Sequence, residues 1–158
     1  MNKTFLLLLI FILLHCFSWG VFTFTLNGHY IDFGTVQIGE SSYGFPENNL
    51  IVTCKSDQGS PWELKIHGTG DMSSGRYTFS LNNMKWFGTY TNGTGSYFCR
   101  DAVSLTMSSS GGLIYQSDTS GDIGLTSGTA VYLQFGITIP EAQPEGTYTT
   151  SVVITMTE

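Results

Sequence analysis

Residues able to exchange protons, attack a carbon or hold a metal are few and scattered along this chain. Its histidines are His15, His29 and His67, and its cysteines are Cys16, Cys54 and Cys99. No Gly-x-Ser-x-Gly elbow, His-Glu-x-x-His pair or phosphate-cradling loop is present. Paired carboxylates can cleave glycosidic bonds, but the acids here are spread out and sit mostly among turn residues. His67 falls at the polar end of an alternating strand, where a solvated imidazole is expected. No catalytic residue, metal ligand or cofactor is assigned. Two loops carry acids in a calcium-like setting: one holds Asp118 and Asp122 among Ser and Gly, the other Asp71 after Gly-Thr-Gly. Calcium takes six to eight oxygens at defined spacings. Neither loop matches one, so Asx-turns are the expectation. Asn92-Gly93-Thr94 fits the N-glycosylation pattern in an exposed loop, which makes Asn92 a possible acceptor. Trp86 and Tyr90, close to turn residues, are the candidates for an exposed, sugar-stacking aromatic pair, whereas Trp62 belongs in a core.

The elements that would position these residues begin with the leader. Met1-Asn2-Lys3 precedes an apolar run from Phe5 to Leu14, and Ser18 and Gly20 offer the small side chains of a cleavage site. That run is about half the length of a membrane span. The expectation is a signal peptide over 1–20, cleavage after Gly20 and a mature domain over 21–158. An uncleaved anchor and lipidation of Cys16 are the alternatives; His15 sits where lipidation requires a small residue. Cleavage takes away Cys16 and leaves Cys54 and Cys99, an even pair that an oxidising compartment would join. Closing so long a loop contributes roughly 4 kcal/mol in the chain-entropy account. Loss of Lys3 leaves five basic residues against 12 acidic ones, a mature charge of −7. Such a surface has no footprint for nucleic acid and none for an anionic membrane.

Apolar residues recur with period two along most of the mature chain. Phe22, Phe24 and Leu26 alternate with Val21, Thr23 and Thr25, and Asn27-Gly28 signals a turn. Tyr30–Ile38 reads as an extended stretch and Ser41–Asn49 as a loop. Leu50–Lys55 is a short strand. Trp62, Leu64 and Ile66 face one way and predict a core. Gly68–Gly75 reads as a loop, Tyr77–Leu81 as a strand, and Val103, Leu105 and Met107 align. Val131, Leu133, Phe135, Ile137 and Ile139 line one face until Pro140 stops the strand. Tyr148 to Met156 then reads as its hairpin partner. No stretch shows a 3.6-residue period, so the fold class is all-β: one antiparallel β-sandwich, Ig-like or pilin-like, with no second domain.

Trp62-Glu63-Leu64 is a literal Trp-x-Leu after a polar turn, and the chain closes on Gly146-Thr147-Tyr148-Thr149 and an alternating strand. These features resemble the WxL family of bacterial surface domains, β-sandwich proteins that associate with the cell wall. Phe33-Gly34-Thr35-Val36 with Gly39-Glu40 is also similar to extracellular Ig-like modules and pilin-type sandwiches. The end of the chain departs from the WxL pattern, because Val153–Met156 lacks the second aromatic-and-leucine motif. The resulting expectation is a secreted, non-enzymatic structural protein of the cell surface. It would be a pilus-like filament subunit whose strand Val21, Phe22, Thr23, Phe24, Thr25, Leu26 exchanges into a neighbour. The alternative is a wall- or carbohydrate-binding module. The partners expected are copies of the chain itself or a surface glycan.

Overall fold

The computed structural model describes residues 22–44, 50–98 and 105–158. The expected signal peptide, Val21 and Cys99 lie outside the described residues. The described residues form twelve strands: β1 Phe22–Leu26, β2 Ser41–Gly44, β3 Leu50–Ser56, β4 Glu63–Gly68, β5 Met72–Ser74, β6 Tyr77–Phe79, β7 Met84–Thr91, β8 Ser96–Tyr97, β9 Leu105–Thr106, β10 Gly112–Gln116, β11 Thr129–Thr138 and β12 Val152–Thr157. A first sheet runs β1-β3-β11-β7-β9, with β2 also on β11. A second runs β12-β4-β10-β8, and β5 pairs with β6. Every pairing is antiparallel.

The two larger sheets close over one core and make a β-sandwich. Alternation decides which side chains enter it, since successive residues of a strand point to opposite faces. Leu50, Val52 and Cys54 of β3 and Val131, Leu133 and Phe135 of β11 point inward from the first sheet. Met84 and Trp86 of β7 join them. Leu64 and Ile66 of β4 and Ile114 and Tyr115 of β10 meet them from the second. Trp62, Leu64 and Ile66 are buried as their alternation requires. Burial of each large apolar side chain stabilises the fold by about 1.5–3 kcal/mol.

Several segments differ from their sequence reading; the strand read over Tyr77–Leu81, for one, stops at Phe79 and gives way to a 3-10 turn over Leu81–Asn83. β12 is not the hairpin partner of β11; it crosses to the second sheet and pairs with β4, Ile154 opposite Ile66. The connection between the two strands is long and holds Pro140 and Pro144, too much chain for a tight turn. Ser41–Gly44, read as loop, is a strand. β3 covers β11 only from Thr129 to Leu133, and β2 takes the hydrogen bonds of Phe135–Thr138 that would otherwise go unmet. Part of Gly68–Gly75 likewise forms β5 against β6. Residues 28–38 join no ladder among the described residues; they bend at His29, turn at Gly34 (φ 65°) and enter a second turn at Ile38. This strap half-buries Ile31, Phe33 and Val36 against the core. Together with β12 it lines a groove of about 1330 Å³.

Candidate functional site

The densest polar arrangement is at the corner where residues 117–124 fold over the end of the second sheet. Asp118 and Asp122 grip each other: the Asp118 N–H donates to Asp122 Oδ1 (3.1 Å) and the Asp122 N–H to Asp118 Oδ1 (3.0 Å). Ser120 donates to Asp118 Oδ1 through both its N–H (2.8 Å) and its hydroxyl (2.7 Å). The Thr94 hydroxyl is shared between Asp118 Oδ2 (2.6 Å) and Asp122 Oδ1 (3.1 Å). Asp122 Oδ2 accepts from the Tyr115 hydroxyl at 2.6 Å and the Thr129 hydroxyl at 2.8 Å. Tyr115 Oη in turn accepts the Gly95 N–H at 2.7 Å. Trp62 Nε1 donates to Gly121 O at 3.0 Å, and its backbone N–H to Ser117 Oγ at 2.8 Å.

Glycines permit this approach. Gly121 has φ +68°, and a Cβ there would run into Ser60 O; at Gly95 a Cβ would run into Gln116 O. Asp122 itself adopts φ 56°, a conformation that Asp tolerates better than most residues. Hydrogen bonds from Ser120 and then Thr94 hold the Asp118 carboxyl far below the usual carboxylate range. Desolvation, then the bond to Asp122, pushes the Tyr115 hydroxyl well above its ordinary value. Both carboxylates face N–H and O–H donors, the opposite of what a cation needs. The Asx-turn reading of this loop therefore describes it. Asp71 does similar work, accepting the Leu81 N–H at 2.9 Å. Among the described residues no group of three or more His, Cys, Asp or Glu gathers to hold a metal.

The sequence-derived candidates separate. Trp86 is 1 % exposed and points into the core, so it cannot stack on a ligand. Tyr90 is 56 % exposed. Its neighbour on the outer face is Tyr132, ring centroids 5.3 Å apart and edge-on, a partner that sequence spacing does not reveal. A bulge at Thr89 sets this up: Gly88 pairs with Leu133 but Tyr90 with Tyr132, so parity flips and Phe87 and Tyr90 share the outer face. Asn92 is exposed, and its Oδ1 accepts the Ala130 N–H at 2.7 Å. The Cys54 thiol is buried, and Cys99, its expected partner, lies outside the described residues. Desolvation, with the Asp122 charge adding to it, pushes that thiol up to about 12.

Among the described residues β1 occupies an edge of the first sheet and pairs with β3 alone, from Phe22 opposite Ser56 to Leu26 opposite Val52. The Asn27 N–H donates to Ile51 O at 3.2 Å, and Ile51 N–H to Asn27 Oδ1 at 2.7 Å. In an antiparallel ladder, hydrogen-bonded positions alternate. Thr25 and Thr23 therefore bond to β3, and the N–H and C=O groups of Phe22, Phe24 and Leu26 point away from it. The side chains of these three lie on the inner face, as does Cys54 opposite Phe24. Yet Phe22 and Phe24 remain 39 % and 41 % exposed.

No protein-family model matches this chain, and no curated protein matches it. A solved structure that it resembles is a family 123 glycoside hydrolase from Clostridium perfringens. The two are 15 % identical, with a TM-score of 0.47, over 87 % of this chain and 24 % of that one. The chain thus spans about a quarter of that enzyme's length.

Proposed function

We propose that this is a structural protein of the cell surface that self-associates through β1, and not an enzyme. The observation that carries the reading is the β1 edge. It is uncharged over Phe22–Leu26, the outward side of its main chain pairs with no strand among the described residues, and it leaves two phenylalanines half uncovered. Long apolar edges without a charge or proline are templates for pairing with another chain. Assembly by β-augmentation takes its strength from main-chain hydrogen bonds and its register from alternate side chains. Its open-ended form is strand exchange, in which β1 leaves β3 and takes the same place beside a neighbour's β3. Repeated head to tail, that contact builds a filament. Export by a cleaved leader over 1–20 belongs to the same proposal. Deletion of residues 22–26 from the exported protein should abolish assembly, as seen by electron microscopy and sedimentation. Assemblies that persist after the deletion would refute the reading.

A second reading rests on Tyr90. An exposed ring beside Tyr132, with uncharged Gln134 and Thr53 on the same outer face, suits stacking against a neutral sugar. Retention of the folded protein on insoluble cell-wall polysaccharide tests it; a clean null leaves the structural reading alone.

A further inference from the structure

The geometry points to a second copy of this chain as the partner of the β1 edge, in a defined register. This rests on the reading of β1 as the assembling element, and it specifies the contact. We propose that two copies pair β1 against β1 antiparallel about a twofold axis at Phe24, each strand staying on its own β3.

The parity of the ladder leads there. Phe22, Phe24 and Leu26 aim their N–H and C=O groups outward, while Thr23 and Thr25 spend theirs on β3. A twofold axis at Phe24 sets Phe24 opposite its symmetry mate and Phe22 opposite Leu26 of the other copy. All three positions then fall on hydrogen-bonding sites of the new ladder, so all the outward groups find partners. Side chains of directly opposed residues share a face. The phenylalanines of both copies would therefore meet on the inner face and cover the surface they now expose.

Other edges are less suited. β8 and β9 are two residues long. β12 is followed directly by Glu158, whose carboxylate accepts the Ser56 hydroxyl at 2.8 Å, and a charge beside a strand end discourages pairing. Within β1 there is no charge, no proline and no bulge. A twofold contact closes after two copies, so any longer fibre would use dimers as units and grow through another surface.

Phe24→Pro separates the possibilities. Proline removes the outward N–H and obstructs β1–β1 pairing, but leaves the Thr23 and Thr25 bonds that β1 makes to β3, whether its own or a neighbour's. Sedimentation of the exported protein should show a dimer. The Phe24→Pro variant should stay folded by circular dichroism and dimerise at least about tenfold more weakly, as expected for loss of two main-chain hydrogen bonds. Should Phe24→Pro fail to fold, Phe24→Lys serves, because it sets like charges face to face on the axis; it should sediment as a monomer that salt partly returns to dimer. A wild-type monomer overturns both this inference and self-association through β1. Assemblies that survive Phe24→Pro, or Phe24→Lys if that variant is the one used, overturn the twofold pairing and leave strand exchange standing.

Discussion

The two ends of this sandwich are held by different means. At the 117–124 corner, two carboxylates gather hydroxyls from β10, β11 and the turn before β8 and amides from the corner itself, and Trp62 is pinned by both of its N–H groups. On the β1 side, the strap over 28–38 is held chiefly by three half-buried apolar side chains, with the Asp32 carboxylate capping Gly34 N–H at 2.8 Å. The first arrangement is cooperative and specific, because each acceptor orients several donors. The second is additive and permissive. The lesson is that a domain with few charged groups can concentrate them where a loop must be fixed, and leave another margin open for contact.

The sharpest way to break this contrast is Asp122→Ala. It would strand the buried Tyr115 and Thr129 hydroxyls, and we expect a loss of about 3–5 kcal/mol in urea unfolding. Phe33→Ala on the strap should cost about 1–2 kcal/mol, since only part of its ring is covered. If the two variants are equally destabilised, the two ends are not held differently. The smallest effect is on pH. The Asp118 carboxyl titrates lower in the folded chain than in the unfolded one. Its contribution is therefore present above the unfolded value, about 3.9, and is lost as pH falls below it. Asp118→Asn should flatten the acid limb of stability against pH. Tyr115 has the opposite sign: its folded value is raised, so its contribution is full below about pH 10 and is lost at higher pH.

Much of the fold was legible because the side-chain period of a strand is two. β4 and β11 carry uninterrupted alternation, and their inward residues are those the pattern marks. Trp86 was legible in principle: Lys85 must face solvent, which turns Trp86 inward, but the adjoining Phe87 and the nearby turn residues obscured it. The hairpin assigned to the last two strands failed because alternation defines a face and says nothing of the neighbour. β2 escaped notice because it contains no apolar alternation and exists to satisfy β11. The corner was half legible. The Asp118–Ser120 turn follows from local chemistry, whereas the convergence of Thr94, Tyr115 and Thr129 on Asp122 depends on three separate elements meeting.

Both indoles of the described domain are in the core, Trp62 beneath the 117–124 corner and Trp86 in β7, two strands removed from β3 and its β1 edge. Once a leader carrying Trp19 is cleaved, as proposed, tryptophan fluorescence reports on the interior alone. Unfolding would shift the emission to the red, while pairing at β1 would leave the spectrum unchanged. The molecule thus carries an optical control that separates loss of structure from gain of a partner.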